Sequence, residues 1–436
     1  MSAAVPGNRW DLLDGEAPHP LPRVSVIVAH YDQPGELART LAALARQDYP
    51  AELLEIVVAD DGSAVPPAVG PGVVLVRQPD RGFRLAAVRN LGVRAATGSV
   101  LCFLDADTAP EPGYVRALTR LPALHPDAVT VGRRRHADLA GAPAQEPIEL
   151  AGAARALPEP AWLAEAYARS RDLLDADDRS YRYVIGAVAA CSRALFDEIG
   201  GFDESFTEYG GEDWEWAHRA WQAGALLAHV PDAVAWHDGP DWAGRDSRDR
   251  AAAANRQALR LAAAITVDGS AGLGLLPRTA DVLVHLRGRH GVAASVVCVD
   301  GILRALPRAL VLVDEPPAGP LADDARVRWA DAPPPDARVV VEVSTPFALA
   351  EDDGRELSER LRTLGGGEEG RLRIAAADGV VVATAESRRA RRRSARWGGD
   401  GGFATGRLVL GGSVVLGAEP HLEAWFGGWA GPAQLG

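Results

Sequence analysis

The sequence predicts an α/β fold, an open parallel sheet flanked by helices, followed by a smaller α/β module. Three observations predict it. Residues 24–29 form a continuous run rich in branched side chains, as a strand covered on both faces does, and residues 54–59, 73–76 and 100–104 read as three further strands. Stretches of helical period separate them, which implies right-handed βαβ units. Two of the strands close on acidic motifs, Asp60-Asp61-Gly62-Ser63 and Asp105-Ala106-Asp107. In open α/β sheets ligands bind beyond the carboxyl ends of strands, so both motifs stand where a ligand is expected.

Residues 1–22 are Pro-rich and polar and read as an extension. After the first strand, Asp32 and Pro34 mark a helix start, and Leu37, Leu41 and Leu44 give it one buried face. A second helix is expected over residues 86–96, with Gly98 ending it. Residues 151–176 read as a helix broken by Pro158 and Pro160. Order resumes with a strand over 183–190, a helix over 193–199 stopped by Gly200-Gly201, a helix over 214–223 stopped by Gly224, and a short strand over 234–237. Residues 238–250 are rich in Asp, Arg and Gly and read as a mobile loop; 251–264 read as a helix. The first domain is thus placed at 23–265.

The second module, 275–436, is expected to carry strands at 295–299, 310–313 and 339–343 and a helix over 354–364. The run ending Asp314-Glu315 echoes the run ending Asp60-Asp61. The strand at 339–343 then stands where the Asp105-Ala106-Asp107 strand does, yet Ser344-Thr345-Pro346 follows it. A degenerate duplication is one reading; convergent βαβ patterning is the blander one. The arginine run at 388–393 reads as a solvated loop.

Composition limits the function. The chain of 436 residues is 47% hydrophobic, enough for two cores. A net charge of −13 argues against nucleic acid as main partner, because phosphate backbones want a basic surface. Cys102, Cys191 and Cys298 form neither a disulfide framework nor a metal spacing, which fits a reducing cytoplasm. No apolar run reaches the roughly 18 residues a membrane span needs, so the expectation is a cytoplasmic protein, with docking at a membrane surface left open.

Two carboxylates at Asp105 and Asp107 can converge on one divalent cation if the backbone bends after the strand, and residues 108–112 are expected to supply that bend. A hard cation held there would clamp a diphosphate. Asp60 or Asp61 could accept a hydrogen bond from a base imide, although Asp-Gly also favours plain turns. Arg81, Arg84 and Arg89 offer forks for phosphate oxygens, against surface salt bridging as the alternative. Glu212 and Asp213 follow Gly210-Gly211 and either serve an acceptor or simply complement a helix start. Tyr209, Trp214 and Trp216 beside them suggest a sugar platform. His237 ends a strand; it is either structural or completes an oxygen-rich metal site, which would favour Mn²⁺.

Residues 24–32, 60–63, Ala87-Val88-Arg89-Asn90-Leu91-Gly92, Asp105-Ala106-Asp107, 201–213 and His237 occur in an order that resembles the inverting family 2 glycosyltransferases. The look is that of the chondroitin-polymerase and galactosyltransferase C-terminal type, over residues 23–240. The resemblance implies a GT-A fold, a Rossmann-like nucleotide-diphospho-sugar transferase domain. It implies transfer of a hexosyl or N-acetylhexosaminyl group from a nucleotide-sugar, UDP-linked by expectation, to a hydroxyl of a glycan, lipid-linked or small-molecule acceptor. It further implies that Ala29, Tyr31 and Asp61 or Asp60 contact the base. Asp105 would approach the ribose or the metal, Asp107 and His237 would ligate Mn²⁺ or Mg²⁺, Asp213 would be the general base, and Glu212 would orient hydroxyls. Tyr209 stands where such proteins often have Trp, and Ala29-His30 replaces a commoner Pro-Thr. A retired sugar-nucleotide or glycan binding protein is the alternative; it would be expected to have lost carboxylates that are present here. A nucleotidyltransferase would carry a Gly-rich loop after strand one, and His30-Tyr31-Asp32-Gln33 is not one.

Overall fold

The computed structural model describes residues 4–240, 250–272, 275, 279–332, 336–428 and 435. The chain divides into two compact units, one from residue 8 to Ala264, the other from Ile265 onward together with residues 4–7.

The first unit is a mixed sheet of strands β1 (Val24–His30), β2 (Leu54–Asp60), β3 (Val73–Arg77), β4 (Val100–Asp105), β5 (Thr108–Pro110), β6 (Ala128–Ala137), β7 (Ala156–Leu157), β8 (Val188–Ser192) and β9 (Leu226–Asp238). Their order is β3-β2-β1-β4-β8-β6-β9-β5, with β7 on β6. The four strands expected first in the sequence, β1 to β4, pair in parallel. Every residue of β1 is buried, which is why the run does not alternate. Ala29 pairs with both Ala59 and Asp105, so the two acidic motifs emerge side by side at one edge. β8 runs antiparallel to β4 and β6, and β9 runs parallel to β6.

Helices Pro34–Leu44 and Leu85–Ala95 connect the parallel strands as expected. Ser192 ends β8 and caps the Arg193–Ile199 helix, its hydroxyl accepting from the Leu195 N–H, and left-handed Gly200 closes that helix. The Glu212–Gln222 helix begins two residues before the expected start, which places Glu212 and Asp213 in its first turn.

The second unit carries β10 (Val282–Leu286), β11 (Leu310–Val313), β12 (Val327–Trp329), β13 (Val339–Val343), β14 (Phe347–Ala348), β15 (Glu369–Ala376), β16 (Val381–Ser387), β17 (Ala404–Leu410) and β18 (Val414–Val415). Seven form a sheet in the order β12-β11-β10-β13-β16-β15-β17, and β14 pairs with β18.

Several expectations fail for physical reasons. Residues 295–299 lie inside the helix Val292–Ala305, nine of whose residues are buried. A short apolar run buried on most sides has no period to separate helix from strand, and the real strand is β10. Residues 180–183 form a 3₁₀ turn, so the strand expected over 183–190 begins only at Val188. The run expected over 234–237 is the end of the 13-residue β9. Residues 388–393 are not a solvated loop. They begin the helix Arg388–Trp397, in which Arg389 and Arg393 are buried against Phe403, and Arg393 donates to the Val5 carbonyl. Nor are residues 8–22 a loose extension, since buried Asn8 bonds the backbone of Leu173 and Leu227. The three cysteines are buried and free. Among the described residues no helix is long and apolar enough to cross a membrane.

Candidate active site

The two aspartates that end β2 have opposite surroundings. Asp60 is fully buried and consumed by the protein: His30 Nδ1 lies 2.8 Å from Oδ1, Arg77 Nε donates to Oδ2 at 2.7 Å, and Ser63 donates from its hydroxyl and its N–H. Burial opposes ionisation of Asp60, but the bonds from Ser63, Arg77 and His30 outweigh it and hold the carboxyl below its ordinary pKa. Asp61 accepts from Gln78 Nε2 at 2.6 Å and from the Arg84 N–H at 3.0 Å, and burial raises its pKa. Only Asp61 of the two faces the cavity.

The bend after β4 falls at Ala106-Asp107 rather than over 108–112, because Thr108–Pro110 is itself a strand, antiparallel to the end of β9. That pairing sets Thr108 opposite His237. His237 Nδ1 consequently lies 3.2 Å from Asp107 Oδ1, and Gln33 Nε2 donates to Asp107 Oδ2 at 3.3 Å. Burial works against the charge of Asp107, yet the bonds from His237, Gln33 and Thr108 prevail and lower its pKa. The His136 ring packs edge-on against His237 at 5.1 Å.

Asp105 lines the same cavity but is bonded to a different partner. Its Oδ1 accepts from Arg89 Nη2 at 2.8 Å, and Arg89 Nη1 donates to Glu212 Oε1 at 3.1 Å. Arg89 is buried, with its guanidinium 5.4 Å from the Phe202 ring centre. Asp213 accepts from the N–H groups of Gly186 and Trp214, at 3.0 and 2.9 Å. A Cβ at position 186 would stand 2.8 Å from Arg89 Nη1 and 3.0 Å from Asp213 Cβ, so a glycine lets this node close. Burial, then the charge of Asp213, pushes the Glu212 carboxyl up to about 7 against the pull of Arg89. Burial likewise raises Asp213.

A cavity of about 540 Å³ opens at these strand ends, within the roughly 300–1,000 Å³ of small-molecule sites. Of the residues singled out in the sequence, Ala29, Tyr31, Asp61, Asp105, Asp107, Tyr209 and His237 line it, together with Phe83, whose ring meets that of Tyr209 edge-on at 5.7 Å. Asp60, Arg81, Arg84, Arg89, Glu212 and Asp213 are not on its wall. Trp216 is no sugar platform: it is fully buried against Phe202 and Phe103, at ring distances of 5.3 and 6.3 Å. Arg134 of β6 is the one arginine on the wall among the described residues, and sequence reasoning missed it. The signal was present as Arg133-Arg134-Arg135, where alternation along a strand sends the middle residue to the face opposite its neighbours. Residues 241–249 of the loop expected over 238–250 lie outside the described residues.

Among the described residues no three His, Cys, Asp or Glu side chains converge as a metal cage. Asp107 and His237 nevertheless fit a divalent ion of the Mg²⁺ or Mn²⁺ kind. Such ions take one or two protein ligands and fill their remaining positions with phosphate oxygens and water.

Residues 25–200 match the model of glycosyl transferase family 2, and residues 173–235 match that of the N-terminal domain of galactosyltransferase. Chondroitin synthase of Escherichia coli is 30% identical over 260 residues, 53% of this chain and 37% of that protein. Validoxylamine A glucosyltransferase of Streptomyces hygroscopicus subsp. jinggangensis is 31% identical over 221 residues, 46% of this chain and 51% of that protein. The chain thus spans between a third and about half the length of these relatives. Among solved structures, a mannosyltransferase from Pyrobaculum calidifontis in complex with GDP-Man and Mn²⁺ is 23% identical, covering 54% of this chain and 63% of that one at a TM-score of 0.38. At that score the likeness adds nothing to the assignment, which rests on the sequence matches. Within the first unit, residues 25–200 thus match glycosyl transferase family 2, continued by a match of the galactosyltransferase type over residues 173–235.

Proposed function

We propose that the first unit transfers a sugar from a nucleotide-diphosphate donor, UDP-linked by preference, to a hydroxyl acceptor, with inversion at the anomeric carbon. One observation carries this reading: Asp61, Asp105, Asp107 and His237, drawn from the ends of β2, β4 and β9, line one cavity. Tyr31, Phe83 and Asp61 receive the base, Asp61 as acceptor for an N–H of its edge. Asp107 and His237 hold the divalent ion, with Asp105 next to them. Bound there, the ion neutralises charge on the leaving diphosphate. Arg134 supplies the protein's own cation on the same wall, in place of Arg81, Arg84 and Arg89.

Asp213 takes the proton of the attacking hydroxyl. Its two bonds from Gly186 and Trp214 fix its orientation, and its raised pKa brings its basicity closer to neutral. Glu212 stays across Arg89 from Asp105 and shares one charge network with it. Tyr209, exposed and beside Phe83, offers an apolar face to a pyranose.

A screen of UDP-, GDP- and dTDP-sugars with Mn²⁺, read by released nucleotide, tests the reading. Turnover with one donor series, lost on Asp213→Asn while nucleoside diphosphate still binds, is the expected result. Tight binding with no turnover on any donor and acceptor would leave a binding protein instead. Retained anomeric configuration in the product would overturn the single displacement.

A further inference from the structure

We infer that the second unit is a retired copy of the first unit's fold, with no donor site of its own. The strand order β12-β11-β10-β13-β16-β15-β17 repeats β3-β2-β1-β4-β8-β6-β9 position by position. The relative directions agree at every neighbouring pair. Four parallel strands come first, the fifth is antiparallel to both its neighbours, and the last pair is parallel again. The small antiparallel pair β14 with β18 repeats β5 with the end of β9. Right-handed crossover constrains the first four strands of any such sheet. It does not require the later switch of direction and the return, which both units share.

Details of side chains follow the same correspondence. Ser192 ends β8 and caps the next helix; Ser387 ends β16 and caps the next helix. A His–Asp pair stands near these strand ends in both units, His30 with Asp60 at 2.8 Å and His285 with Asp314 at 2.7 Å. The register aligns Asp314 with Asp60 and sets His285 two residues before the place of His30, so the aspartate is what the second unit keeps in position.

The ligand residues are what it lacks. Ala29 pairs with Ala59 and Asp105, and Leu286 pairs with Val313 and Val343. This register sets Glu315 where Asp61 stands, Val343 where Asp105 stands and Thr345 where Asp107 stands. Glu315 is engaged by Arg289 at 3.4 Å. Ala109 pairs with Trp236, and Phe347 with Val415, which sets Leu416 at the place of His237. A shift of one residue would substitute Val415 or Gly417, neither of them a ligand. The acid-bearing helix has no counterpart. Residues 200–225 separate the Arg193–Ile199 helix from β9 and contain Glu212 and Asp213, whereas only residues 398–403 separate the Arg388–Trp397 helix from β17. The strand order and the serine cap were kept, the metal groups were lost, and the one carboxylate left at a base position, Glu315, is tied to Arg289, as expected when a domain is held for its fold and not for its chemistry.

The inference rests on the site proposed for the first unit, and calorimetric titration of the full chain with UDP, GDP and dTDP in the presence of Mn²⁺ separates the two. One nucleotide per chain is expected. Asp61→Asn with Asp107→Asn should weaken it at least a hundredfold, and Glu315→Gln with Thr345→Ala should leave it unchanged. Two nucleotides per chain, or binding that survives the first pair of substitutions and is lost with the second, would overturn the inference. No binding of any nucleotide would overturn the reading of the first unit while leaving the second without a donor site, as inferred.

Discussion

His237 Nδ1 lies 3.2 Å from Asp107 Oδ1, although 130 residues separate them in the chain. The antiparallel pairing of Thr108–Pro110 with the end of β9 is what brings them together. Asp107→Ala or His237→Ala should therefore remove metal-stimulated transfer. Loss of outer-shell partners alone costs about 10–100-fold in metal sites, so loss of a direct ligand should cost at least about a hundredfold. Circular dichroism should stay unchanged. Full activity of either variant in the presence of a chelator would rule out the metal assignment.

Asp60 and Asp61 should separate stability from binding. Asp60→Ala leaves His30, Ser63 and Arg77 without their common acceptor. Removing one partner of a buried charged network costs about 3–5 kcal/mol, visible as a lowered urea midpoint. Asp61→Ala should shift the midpoint far less and weaken nucleotide binding. The reverse pattern would reassign the base contact.

With Asp213 as the proposed base, the acid pair should make turnover sensitive to pH above the usual carboxylate range. Asp213 must be ionised to accept a proton, and its raised pKa together with that of Glu212, about 7, puts the acid limb of kcat/KM above the usual carboxylate range. Arg89→Met removes the cation that favours both charges and should move that limb further up. A limb unchanged by this substitution would separate Arg89 from the pair.

The same shift has a consequence for stability. The folded pKa of Glu212 is raised above its ordinary 4.5, so its contribution is fully present below that value and is lost as pH rises through about 7. Glu212→Gln keeps an oxygen for Arg89 and does not ionise. Relative to the parent protein it should gain stability at pH 8 and lose that advantage at pH 4, as read by denaturant unfolding at the two values.

Arg134→Ala should weaken a nucleoside diphosphate about 10–100-fold, the worth of a hydrogen bond between charged groups, and leave the nucleoside alone unaffected. Equal loss for both ligands would mean that Arg134 shapes the pocket instead of meeting phosphate.

Much of this protein was legible locally. The continuous branched run at 24–29 reads as a parallel strand because burial on both faces removes alternation, and β1 to β4 lie where the first four strands are expected. The acidic motifs read as site residues because strand ends in such sheets open on ligands. Asp61, Asp105, Asp107 and His237 do line one cavity. What the sequence could not decide was which way a side chain turns once the elements pack. Neighbours Asp60 and Asp61 look equivalent in sequence, and only the approach of His30 and Arg77 makes one of them structural. Arg89 reads as a phosphate fork, but its helix packs it inward between Asp105 and Glu212. Trp216 reads as a platform, but the turn of its helix drives it into the Phe103 and Phe202 core. Arg134 is one of three consecutive arginines, and only the pairing of β6 with its neighbours brings it to the cavity. Periodicity and composition act over a few residues, and so the sequence by itself determined the strands and their acidic ends. Direction and partnership depend on contacts a hundred residues apart, and those only the tertiary structure decided.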